Sequence, residues 1–116
     1  MKYLCLVVCE EKKLEAMSQE EMQRLIDESL AYDQVLSDGG HLIAAQALQP
    51  VSTATTLRIR NSKVSKTDGP FAETKEQVGG FILIEAKDRN EAVRLASKIP
   101  SIRLGCIEVR PIMELK

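Results

Sequence analysis

The sequence predicts an α+β domain of the ferredoxin-like, split β-α-β type with an inserted hairpin. Three observations carry this. The elements run in the order strand, helix, strand, hairpin, strand, helix, strand. The first strand, residues 2–9, and the fifth, residues 80–86, are apolar on both faces, so both faces must be covered. Two helices cover only one face of a sheet, so a second sheet has to supply the other. The same two strands therefore predict a homodimer.

Each element has its own signal. In the first strand Lys2, Leu4, Leu6 and Val8 point to one face, and Tyr3, Cys5, Val7 and Cys9 to the other. Residues 10–17 read as a polar connection. Ser18 with Glu21 is a capping box, so a helix starts near Gln19. Met22, Leu25, Ile26, Ser29, Asp33 and Leu36 follow helical spacing. Asp33 is the odd member: it either reaches water at the stripe's edge or faces a cleft. Asp38-Gly39-Gly40 ends the helix. The second strand runs from His41 to Leu48, with His41, Ile43, Ala45 and Ala47 on one face and Leu42, Ala44, Gln46 and Leu48 on the other. Gln46, if buried, needs a hydrogen-bond partner.

Gln49-Pro50 breaks that strand. Residues 54–60 alternate, with Leu57 and Ile59 opposite Arg58 and Arg60. Asn61-Ser62 is a turn, and residues 63–67 return as a short strand. Asp88 opens the second helix, whose packing side is Ala92, Val93, Leu95, Ala96 and Ile99, and Pro100 stops it. In the last strand, residues 106–113, Ile107 and Val109 face away from Glu108 and Arg110; Pro111 marks the end of its pairing or an edge.

The chain of 116 residues is one domain, residues 1–116, and a chain of this size buries about two-thirds of its unfolded surface. A net charge of −1, with two tyrosines, two phenylalanines and no tryptophan, offers neither a basic field nor a stacking platform. Nucleic acid is therefore not an expected ligand. The apolar N-terminal run is too short for a secretory signal and is followed by Glu10-Glu11-Lys12-Lys13. No segment approaches the ~20 apolar residues of a membrane span. Cys5, Cys9 and Cys106 lie in apolar runs and read as buried, reduced thiols, which places the chain in the cytoplasm. With one histidine, His41, they match no zinc pattern, so neither a metal nor a cofactor is expected.

The least generic stretch is Asp68-Gly69-Pro70-Phe71-Ala72-Glu73-Thr74-Lys75-Glu76, followed by Gln77-Val78-Gly79-Gly80-Phe81. An aspartate in a turn usually accepts the N–H two residues on. Here that residue is Pro70, which has none, so the Asp68 carboxylate must find a less local partner. Thr74 with Gln77 resembles a capping box for a further short turn, and Gly79-Gly80 frees the backbone before the next strand. On the plainer reading Asp68 caps a turn and Phe71 plugs the core edge. On the sharper one Asp68 and Glu73 line a cleft. His41 sits at a strand mouth or shuttles a proton. Arg58 and Arg60 form a solvated strand face, pair with Asp68, or bind an anion.

This stretch resembles the signature of the DGPF-domain branch of the YCII-related family. Leu48-Gln49-Pro50, Ala54-Thr55-Thr56-Leu57-Arg58 and Glu108-Val109-Arg110-Pro111 resemble further runs of that family. The resemblance implies pairing as a dimeric α+β barrel. It also implies that Gln46, where similar proteins often have glutamate, lines the same cleft as Asp68. Related members are suspected enzymes with a histidine on the first helix, near Ser29 or Asp33 here, and an aspartate nearby. This helix has no histidine, so that pair does not carry over. Some members are encoded beside extracytoplasmic-function sigma factors, which implies a regulatory setting.

Two functions follow. In the first, a small molecule binds in a cleft at the loop, with Asp68 and His41 as candidate catalytic groups and Gln46, Phe71, Glu73 and Arg110 orienting the ligand. In the second, the protein is a non-enzymatic interaction or regulatory subunit and the loop locks the dimer. No nucleophile motif or phosphate-binding loop names a reaction.

Overall fold

The computed structural model describes residues 1–115. The elements are β1 (Lys2–Glu10), α1 (Glu11–Glu15), α2 (Gln19–Asp38), β2 (Leu42–Ala47), β3 (Thr55–Arg60), β4 (Lys63–Asp68), β5 (Glu76–Glu85), α3 (Arg89–Ala96) and β6 (Gly105–Pro111). Four strands form an antiparallel sheet in the order β2-β5-β1-β6. The two strands joined through α2 thus flank β5, and the two joined through α3 flank β1. This is the ferredoxin-like arrangement, with the β3–β4 hairpin inserted as a separate ribbon.

The two-faced character of β1 decides where the core sits. Tyr3, Cys5, Val7 and Cys9 are buried, with Ile82 and Ile84 of β5, Leu36 of α2, and Ala92, Leu95, Ala96 and Ile99 of α3 and its exit. The register pairs Leu4 with Leu83 and Leu6 with Phe81 on the opposite face, where these residues are only partly buried. The capping box at Ser18 and Glu21 forms as expected. The exit of α2 turns through Gly40 at φ +78°, and the His41 N–H returns to the Leu36 carbonyl at 2.8 Å.

Five expectations are corrected. Residues 11–15 are helical rather than an irregular connection, because Leu14 packs on the core and gives this turn an anchor. β2 carries a bulge between Leu42 and Ala44, so Leu42 and Ala45, opposite Ile84 and Ile82, share the core face, and strict alternation fails. β5 starts at Glu76, with Gly79-Gly80 inside it. Gly80 is needed there for close approach: a Cβ on it would lie 2.9 Å from the Gln46 carbonyl oxygen. Val93 is exposed on α3 rather than packed. Cys106 is exposed rather than buried.

All three thiols are free. Burial pushes the Cys5 thiol up from 9.0 to about 11 and raises Cys9 as well. The shift on Cys5 cuts its thiolate fraction about a hundredfold. We expect Cys5 and Cys9 to resist a thiol reagent at pH 8 in the native protein, and all three cysteines to react once it is denatured. Rapid native labelling of Cys5, read by peptide mass, would contradict this.

The ribbon is the exceptional element. Asn61 and Ser62 both take positive φ, 52° and 64°, the mirror-image turn that suits a two-residue hairpin. Pairing puts Leu57, Ile59 and Val64 on one ribbon face, with Lys66 opposite Leu57 and Asp68 at its end, and Arg58 and Arg60 on the other face. The apolar face is open: Leu57, Ile59 and Val64 are 63%, 77% and 69% exposed. A two-stranded ribbon of this kind is marginal alone in water. The radius of gyration is 16.0 Å, against about 13 Å for a compact chain of this length.

Candidate functional site

A cavity of about 610 Å³ lies between α2 and the core face of the sheet. α2 contributes Leu25, Ile26, Ser29 and Asp33, the face set by its helical spacing. Val7, Cys9, Ala45 and Ile82 form the sheet wall, and Leu14, Ile99 and Leu104 complete the apolar lining. The volume is ordinary for a small-molecule site. The wall is mainly apolar, so each polar group on it stands out. Tyr32 donates its hydroxyl to the Leu95 carbonyl at 2.5 Å. Glu11 accepts the Val51 N–H at 2.9 Å. Asp33 is partly buried, and burial alone raises its pKa above the usual carboxylate value. Of its two sequence readings, the cleft-facing one describes its position.

The Asp68 loop meets this cavity through Gln77. Gln77 lines it, and its side-chain amide donates to the carbonyls of Ala72 at 2.8 Å and Thr74 at 3.2 Å. The expected capping box at Thr74 is absent: Gln77 is already in β5 and uses its side chain on the loop instead. Thr56 donates to the Gly69 carbonyl at 2.8 Å, and Arg58 donates to that of Phe71 at 3.1 Å. Lys75 and Lys13 reach Glu10 at 3.3 and 3.6 Å, and the Lys75 contact holds the Glu10 carboxyl below its usual range. The loop is therefore fastened largely by its carbonyls, while its own acids stay free. Among the described residues, no hydrogen bond or ion pair engages the Asp68 or Glu73 carboxylate. Phe71 is 76% exposed, so it does not plug the core edge. Arg58 and Arg60 lie across the ribbon from Asp68 and do not pair with it.

The six sequence candidates do not converge within the chain. Of them, only Gln46 lines the cavity, and its register opposite Phe81 turns its side chain from the core face. His41 is at the far end of β5, where its Nδ1 lies 2.8 Å from the Glu85 carbonyl oxygen and 4.0 Å from the Glu91 carboxylate. The strand between His41 and the Asp68 loop is ten residues long, which separates them by about 30 Å. Arg110 lies on edge strand β6, paired with Glu108. Phe71, Glu73 and Asp68 stay on the loop and ribbon. Sequence reasoning passed over Ser29, Cys9 and Gln77 as cavity walls. For Gln77 the available signal, a polar side chain three after Thr74, pointed to the wrong device.

Fold and site together define a ferredoxin-like α+β protein with a preformed, largely apolar pocket beneath its long helix. Comparison with known proteins then makes the assignment: residues 1–116 match the YCII-related domain, and the chain belongs to that family. It is also 35% identical over 114 residues to an uncharacterized protein of Rhizobium meliloti (strain 1021), covering 97% of this chain and 92% of the relative. No helix among the described residues is long and apolar enough to cross a membrane.

Proposed function

We propose that this is a cytoplasmic, homodimeric member of the DGPF branch that binds a small molecule in the cavity beneath α2. The cavity itself carries the reading: about 610 Å³, mainly apolar, with two partly buried carboxylates on its wall, Asp33 and Glu11, of which only Glu11 has a hydrogen-bond partner within the chain. The loop signature supports the branch, and three free cysteines suit a reducing compartment. Dimerisation is supported by the open apolar ribbon face and by the partly buried sheet face around Leu6 and Phe81. In this reading Asp68, free of internal partners and at the end of the apolar ribbon face, acts as anchor or base at a site completed by the partner protomer. The exposed ribbon also favours a second reading, a non-enzymatic interaction subunit, which a stable complex with a different protein would support.

The test is a thermal-shift screen against a metabolite library, repeated with Asp68→Asn. If Asp68 anchors a ligand, the variant melts at the same temperature or higher and loses the ligand-induced shift. If it is purely structural, the variant loses about 1 kcal/mol of stability and binds every hit normally.

A further inference from the structure

The ionisable side chains around the cavity have one sign. Asp33, Glu11 and Glu15 line it, and among the described residues no lysine, arginine or histidine does. Glu11 is already engaged by the Val51 N–H at 2.9 Å. The Tyr32 hydroxyl is spent on the Leu95 carbonyl at 2.5 Å, so it is not a free donor to Asp33. Glu15 is exposed and able to keep its hydration. Asp33 is different: it is partly buried and, among the described residues, no hydrogen-bond donor or cation contacts it. Its oxygens still reach solvent through the cavity, but partial burial without a partner leaves part of its desolvation cost uncompensated.

We propose that the ligand is an apolar amine, bound with its ammonium group on the Asp33 carboxylate and its hydrocarbon body against Leu25, Ile26, Ile82 and Leu104. This rests on the reading of the cavity as a ligand site and names the class of molecule it takes. Each alternative charge fits worse. An anionic ligand meets three acids and no cationic side chain among the described residues. A neutral apolar ligand strips more water from Asp33 and gives nothing back. An ammonium group supplies both the charge and the N–H donors that Asp33 lacks, as a charge-assisted hydrogen bond. The burial that raises the Asp33 pKa agrees with this, since no group of the chain offsets it.

Three probes of the same skeleton separate the possibilities: 3-phenylpropylamine, 3-phenylpropanol and 3-phenylpropionate, titrated calorimetrically into the intact protein at pH 7. The amine is expected to bind at least about tenfold tighter than the alcohol, a ratio that a single hydrogen bond to a charged group supplies. The carboxylate is expected to bind weakest. In Asp33→Asn, with its fold checked by circular dichroism, the alcohol keeps its affinity and the amine loses its advantage. Alcohol or carboxylate binding as tightly as the amine overturns the ligand class and leaves the cavity reading standing. So does an amine preference that survives Asp33→Asn. If none of the three binds the wild-type protein, the cavity reading fails, and the ligand class with it.

Discussion

Ile59→Glu is expected to turn a dimer into a monomer. Light scattering at micromolar concentration should give twice the chain mass for the wild type and the single-chain mass for the variant. Ile59 is 77% exposed on a ribbon face it shares with Leu57 and Val64. Exposing such a face on a marginal two-stranded element makes sense only if something covers it. A carboxylate at the centre of a packed apolar contact leaves a charge buried without a partner, at a cost of about 2 kcal/mol or more. That corresponds to a dissociation constant at least about 30-fold weaker. The control is Arg60→Glu, one residue along on the opposite ribbon face, which should leave the mass unchanged. A wild-type protein that is a stable, well-folded monomer at these concentrations defeats the expectation outright.

Gly105→Ala should have the largest effect on stability. Gly105 begins β6 opposite Cys9. A Cβ there would sit 2.0 Å from the Val8 carbonyl oxygen and 3.1 Å from the Cys9 Cα. Both obstacles are backbone, so no side-chain rotation relieves them, and β6 must move away from β1. Val7, Ile107 and Val109 then lose packing at the sheet edge. The expected loss is about 3 kcal/mol in urea denaturation, at the upper end for overpacking. Gly79→Ala is the comparison: its Cβ would meet only ordinary contacts, the nearest being the Cys9 sulfur at 3.7 Å. A Gly105→Ala protein within about 0.5 kcal/mol of wild type, the range of a neutral surface change, would refute the argument.

Much of the fold was legible because its determinants are local or periodic. Alternation along β1 separated Tyr3, Cys5, Val7 and Cys9 from Leu4, Leu6 and Val8, and the structure buries the first set. Ser18 and Glu21 announced the start of α2, and Asp88 marked that of α3, whose side chain accepts the Glu91 N–H at 2.9 Å. The element order then left the ferredoxin-like topology as the compact solution with short connections.

The tertiary structure alone decided the rest, because those features belong to no single segment. The cavity is a volume between α2 and strands distant in sequence, so no periodicity marks its walls. Asp33 stood out on the apolar stripe, but its two positions, at the water edge or in a cleft, differ only in how far α2 stands from the sheet. The bulge in β2 moves Leu42 to the core face without changing a residue of the pattern. Gln77 has the spacing of a cap, yet its side chain serves the loop carbonyls once β5 claims its backbone. The need for glycine at position 105 comes from the Val8 carbonyl across the sheet, a neighbour nearly a hundred residues away in the chain. Sequence patterns specify which face of an element is apolar; only three-dimensional packing specifies what that face meets.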